Sequence, residues 1–179
     1  VKNRSNGAFD WPVYIEGLPV DKALRLSTAE GYDTVPNYWN STAPSSSTFR
    51  IGSSGAVAGL TGEEMIAYCW AEVPGFSKIG KVGSSEDERY VNTGFKPRWV
   101  MFKHATDATN WFIFDTERNP DNPMVLGMNP NRSNAQETNN AGDNVEFYNN
   151  GFKLWNAGSY NSDYVYAAFA DTPLQYLPQ

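Results

Sequence analysis

The stretch Tyr164-Val165-Tyr166-Ala167-Ala168-Phe169-Ala170-Asp171-Thr172-Pro173 is short, aromatic and β-branched, and it closes on a proline. Such a run suits a pleated surface and is too brief for a buried helix, so it predicts a core strand. Three more runs share its character: Met65-Ile66-Ala67-Tyr68-Cys69-Trp70, Arg98-Trp99-Val100-Met101-Phe102-Lys103 and Trp111-Phe112-Ile113-Phe114. The chain also carries 18 Asn, 15 Gly and 11 Pro, about a quarter of its 179 residues, and these favour turns over helix interiors. The expectation is an all-β protein of many short strands, with under about 10% helix against the roughly one third usual in soluble domains. The best helix candidate is Val20 to Glu30, with Ala23, Leu24 and Leu26 on one face, although Leu24-Arg25-Leu26 serves equally well as a short strand. Asn150-Gly151, between Val145-Glu146-Phe147-Tyr148 and Phe152-Lys153-Leu154, predicts a hairpin.

The deciding stretch has an echo earlier in the chain. Ile66-Ala67-Tyr68-Cys69-Trp70-Ala71-Glu72-Val73-Pro74 matches Val165 to Pro173: an aromatic-rich strand, Ala, an acid, one residue and Pro. Lys2 through Asp10-Trp11-Pro12-Val13-Tyr14-Ile15 matches Lys103 through Asn110-Trp111-Phe112-Ile113-Phe114-Asp115 with one gap. Ala23 to Ser27 lines up with Val125 to Asn129, and Phe49-Arg50-Ile51 with Phe152-Lys153-Leu154. The collinear order predicts two similar repeats of about 100 residues, residues 1–75 and 76–179. The first repeat is expected to lack its opening strands, because Val1 falls in the middle of the strand that the second repeat reaches only after Phe76 to Pro97. A sheet missing an edge strand exposes unpaired backbone groups, so self-association is expected.

Composition narrows the function classes. With 14 basic and 20 acidic side chains the net charge is -6, which argues against nucleic acid as a partner. No apolar run approaches the roughly 20 residues of a membrane span, so no membrane insertion is expected. Val1-Lys2-Asn3-Arg4 lacks the apolar stretch of a signal peptide, and a soluble mature chain is expected. One cysteine, Cys69, and one histidine, His104, exclude an internal disulfide and a Cys/His zinc site, and no cofactor is expected. Cys69 is expected to be a small buried hydrophobe inside its strand, and His104 a satisfied or exposed surface residue.

The series Val1 to Arg4, Asp10-Trp11-Pro12-Val13-Tyr14, Tyr38-Trp39-Asn40-Ser41-Thr42-Ala43-Pro44, Ile66 to Trp70, Thr93-Gly94-Phe95-Lys96-Pro97, Asp115 to Pro120, Asn150 to Leu154 and Tyr164 to Pro173 resembles a domain repeated in tail-fibre-like structural proteins of tailed bacteriophages. The resemblance spans nearly the whole chain. It implies an antiparallel β-sandwich of concanavalin-like or jelly-roll type, a place in an extracellular virion appendage beside other virion proteins, and no established catalytic activity. For the oligomer it implies a homotrimer. The expected function is therefore non-enzymatic: a tail-fibre or appendage domain that contributes to attachment to bacterial surface glycans. The alternatives are a glycan-cleaving enzyme on the same scaffold and a head-decorating or filament protein without a ligand.

Candidate site residues follow from side-chain chemistry. Tyr38 and Trp39, and Trp155 with Tyr160, lie in Asn/Ser/Gly-rich segments, where exposed rings amid amides suit sugar stacking; the alternative is that they belong to the core. Glu63-Glu64 and Asp115-Thr116-Glu117 are the acid pairs a glycosidase would need, though neither alternates along one strand as a glycan cleft requires. No catalytic residue is assigned. Asp115, Glu117 and Asp121 form a weak cation loop without EF-hand spacing, and Arg118 is placed to neutralise the acids instead.

Overall fold

The computed structural model describes residues 1–83, 89–138, 144–155 and 163–171. Its strands in chain order begin with β1 (Lys2–Asn3), β2 (Pro12–Val13), β3 (Lys22–Arg25), β4 (Asp33–Thr34) and β5 (Met65–Ile66). There follow β6 (Ser77–Val82), β7 (Tyr90–Asn92), β8 (Pro97–His104), β9 (Phe112–Asp115) and β10 (Leu126–Gly127). The last are β11 (Glu137–Thr138), β12 (Asn144–Tyr148), β13 (Gly151–Trp155) and β14 (Tyr164–Ala170). Among the described residues the one α-helix is the single turn α1 (Gly55–Ala58), capped by the Ser54 hydroxyl. The protein is all-β, and each of its strand pairs is antiparallel.

The deciding stretch sits at the centre. β14 lies between β6 and β8 in a four-stranded sheet of order β6-β14-β8-β9. A strand with partners on both sides and neighbours on both faces favours apolar side chains throughout, which is what Tyr164 to Ala170 supplies. Period-two alternation sorts its side chains. Tyr164, Tyr166 and Ala168 of β14, with Val100 and Phe102 of β8, face one cluster, which is completed by Val91, Val145, Phe147, Phe152 and Leu154 from the second sheet, β7-β13-β12. Val165, together with Ala105, Trp111 and the partly buried Met101, faces the opposite way, against Ile15, Leu18 and Leu24 from the first part of the chain. Each such ring or branched side chain, fully buried, contributes about 1.5–3 kcal/mol over leaving it in water.

The hairpin is present with a small shift in position. Tyr148 stands opposite Gly151, so Asn149 and Asn150 form the two-residue turn and Gly151 opens β13. Gly151 also faces Asn92 of β7, and a Cβ there would lie 2.0 Å from the Val91 carbonyl oxygen. The Val20 to Glu30 segment holds strand β3 rather than a helix, because Ala23 and Leu24 are both buried while Lys22 and Arg25 pair with β4 and β2.

Two ladders share one register. Lys2 stands opposite Ile66 and Asn3 opposite Met65, while Lys103 stands opposite Val165 and His104 opposite Tyr164. The next hydrogen bond also corresponds: the Arg4 N–H donates to the Glu64 carbonyl at 2.8 Å, and the Ala105 N–H to the Asp163 carbonyl at 2.8 Å. The lengths differ sharply, since β5 has two residues and β14 has seven. This corrects the expectation of a strand over Met65 to Trp70. β14 has β8 and β6 on its two sides, whereas β5 pairs with β1 alone among the described residues, and pairing ends at Ile66. Cys69 is accordingly exposed rather than buried.

His104 departs from expectation in the other direction. β8 runs on through it, and its ring packs 4.1 Å from that of Tyr164, leaving it 2% exposed. Trp111 is fully buried, with its indole N–H donating to the Arg25 carbonyl at 2.8 Å, while Trp11 stays 36% exposed under the Lys2 ammonium.

Candidate functional site

The outer face of the sheet β7-β13-β12 gathers three exposed rings. In β12 Val145 and Phe147 turn inward while Glu146 and Tyr148 turn outward; in β13 Phe152 and Leu154 go in while Lys153 and Trp155 go out. β7 adds Tyr90 on the same outer face, with Val91 inward. Tyr90, Tyr148 and Trp155 are 38%, 39% and 40% exposed, enough to offer ring surface to a ligand while each ring stays anchored. Glu146, Lys153 and Tyr90 stand in one cross-strand row.

Polar contacts fix this surface. The Tyr90 and Tyr148 rings meet edge to face at 5.7 Å between centroids. The Tyr90 hydroxyl donates to Asn150 Oδ1 at 2.6 Å, and the Tyr148 hydroxyl donates to the Glu146 carboxylate, which pushes the phenol's pKa up. The Lys153 ammonium lies 4.0 Å from the centroid of Trp155, a cation–π contact that places positive charge beside that ring. Flat apolar faces bordered by amides, a carboxylate and an ammonium can stack on a saccharide and hydrogen-bond its hydroxyls.

Of the sequence-predicted residues, Trp155 belongs to this face. Tyr160 lies outside the described residues. Tyr38 and Trp39 lie elsewhere. Trp39 is 5% exposed, packs with Ala23 and Val57, and donates its indole N–H to the Lys22 carbonyl at 3.0 Å. Tyr38 is half-buried edge-on against Trp39 at 6.2 Å between ring centroids. Trp39 therefore packs as a core ring, the alternative weighed for it. Tyr90 and Tyr148 were missed, although the signal was present: each occupies the outward position of an alternating strand where a polar residue is usual.

The acid pairs are engaged locally. The Glu63 carboxylate accepts from the Leu60 N–H at 2.7 Å, from the Asn6 amide at 2.9 Å and from the Asn3 amide at 2.6 Å, and these bonds hold it below the usual carboxylate range. Glu64 pairs with Arg4 at 3.4 Å. Asp115 accepts from the Glu117 and Arg118 N–H groups and from the Arg118 guanidinium, whose Nε lies 2.6 Å away. Its carboxyl is held low by that guanidinium against the opposing effect of burial. Glu117 turns to Arg98 at 2.6 Å, and Asp121 is exposed. No group of three or more His, Cys, Asp or Glu placed to hold a metal ion occurs among the described residues.

Two buried basic residues, Lys103 and His104, are consecutive on β8. Lys103 Nζ donates to the carbonyls of Ala29 at 2.9 Å, Thr109 at 2.7 Å and Asp107 at 3.4 Å. Burial pushes its pKa down to about 8, with Asp107 and Glu30 opposing. Burial pushes His104 down to about 4 against the pull of Asp107. Lys103 thereby ties β8 to the first part of the chain by a carbonyl cage. Among the described residues no helix is long and apolar enough to cross a membrane.

No curated protein and no solved structure matches this chain. A family model does, across residues 1–173 and so across both ladders of common register and the aromatic face. The chain therefore belongs to the family described as Domain of unknown function (DUF7483).

Proposed function

We propose that the chain is a non-enzymatic virion domain of a tailed bacteriophage, part of a tail fibre or related extracellular appendage, and that it contributes to attachment by binding glycans of the bacterial surface. The observation that carries the binding part is the outer face of β7-β13-β12, where Tyr90, Tyr148 and Trp155 stand exposed among Glu146, Lys153 and Asn150. The virion setting rests on the sequence resemblance to tail-fibre-like proteins. The finer fold reading goes with it: a β-sandwich of concanavalin-like type made from two similar repeats. Its support is the common core of β6-β14-β8-β9 and β7-β13-β12, and the common register of Lys2 with Ile66 and Lys103 with Val165.

The test is binding of the purified chain to a panel of bacterial surface polysaccharides, followed by titration of any hit. Trp155→Ala and Tyr90→Ala should each weaken binding roughly tenfold, about 1.4 kcal/mol for a lost stacking ring, in variants that circular dichroism shows to keep the fold. A hit that both variants bind as well as the original chain removes this face from the reading. A blank panel beside robust assembly replaces attachment with a purely structural role, and release of new sugar ends replaces it with catalysis.

A further inference from the structure

The β5 edge is bare in a way that the corresponding edge of β14 is not. β14 carries β8 on one side and β6 on the other, with Val165 opposite Lys81, Ala167 opposite Ile79 and Phe169 opposite Ser77. On the matching segment, β1 occupies the β8 side with the same register, and among the described residues nothing occupies the β6 side. Among the described residues the backbone groups of Ala67, Tyr68, Cys69 and Trp70 take part in no hydrogen bond.

The side chains tell the same story. Phe169 is covered by Phe76 at 6.1 Å and Trp99 at 5.5 Å between ring centroids. Trp70, its sequence match, is 65% exposed and stacks, among the described residues, only on Tyr68, itself 55% exposed, at 6.3 Å. Val73 beside them is 46% exposed. Two large rings and a valine left in water beside an unpaired strand edge are an interaction surface, since sheets seldom leave an edge so open.

We propose that this edge is completed by strand addition: an extended segment with the pattern of Phe76 to Val82, supplied by a neighbouring repeat unit, pairs antiparallel with Met65 to Trp70 and lays an aromatic side chain on Trp70. The occupant is named by internal correspondence. Phe76-Ser77-Lys78-Ile79-Gly80-Lys81-Val82 is what covers the matching edge within the same molecule, and it supplies both the amide ladder and the ring over Phe169. The proposal rests on the two-repeat reading and is independent of the aromatic face on β7-β13-β12.

The experiment adds a synthetic peptide of sequence Gly75 to Gly83 in trans to the full 179-residue chain and follows amide hydrogen exchange and Trp fluorescence. Expected is saturable binding that slows exchange at Ala67 to Trp70 by at least tenfold and leaves Tyr90 and Trp155 untouched. A peptide of the same composition in scrambled order, and one N-methylated on the amides that face the edge, should fail. Equal protection by the scrambled peptide, or no protection at Ala67 to Trp70, overturns strand addition. So does edge-to-edge dimerisation of the chain that the peptide cannot displace. The repeat reading has its own readout in the free chain: the Arg4 and Ala105 amides, which donate to Glu64 and Asp163, should both be slow to exchange. If they are and the peptide still does not bind, the repeats stand and the strand addition falls.

Discussion

His104 makes the acid stability of this protein predictable from one side chain. It is the only histidine in the chain, 2% exposed, and its pKa is pushed to about 4. In the unfolded chain it returns to about 6.5. Between those values the unfolded state binds the proton and the folded state refuses it, so folding stability falls as pH drops from 6.5 and reaches its full loss near pH 4. The gap corresponds to about 3 kcal/mol, each pH unit being about 1.4 kcal/mol. That is a large share of the roughly 5–15 kcal/mol that holds a domain folded. Urea unfolding at a series of pH values from 7 to 4 measures it, with His104→Phe as the reference, since a ring of similar size keeps the contact with Tyr164 without a titrating nitrogen. Carboxylates titrate in both proteins and cancel in the difference. The original chain should lose about 3 kcal/mol more than the variant, and its single imidazole signal should show no titration above pH 5. Parallel curves for the two proteins would refute the argument that burial suppresses the imidazolium.

Two further substitutions probe packing and loops. Gly151→Ala should destabilise the fold by about 2 kcal/mol or more, measured by thermal unfolding, because the added Cβ lands 2.0 Å from the Val91 carbonyl oxygen and must push β13 off β7. Asn119 is 4% exposed and holds its loop by accepting from the Val125 and Leu126 N–H groups while donating to the Leu126 carbonyl at 2.7 Å. Asn119→Ala should cost about 2–3 kcal/mol for backbone groups left buried without partners.

Legibility in the sequence followed the range of the forces involved. β8, β9, β14 and the β12-β13 hairpin were readable because alternation and turn chemistry are local. Met65 to Trp70 carried the same pattern as Tyr164 to Phe169, yet only two of its residues form a strand. What decides between them is a neighbouring strand, β6, that belongs to another part of the chain. Trp39 and Trp155 show the same limit at the level of a site. Both sit among small polar residues, but Trp39 is buried by Ala23, Val57 and the Lys22 carbonyl, partners at least sixteen positions away. Trp155 could be placed on the surface by counting two residues on from Lys153.

The indole of Trp111 ends on the Arg25 carbonyl, and the ammonium of Lys103 on that of Ala29. These ties, with Leu24 packed beside Trp111 and Val165, put residues from before and after position 75 in one interior. A cut at that position would lay open the largest ring of the core and take from Lys103 one of its three carbonyl acceptors. Neither half is thus a part that recombination could trade alone.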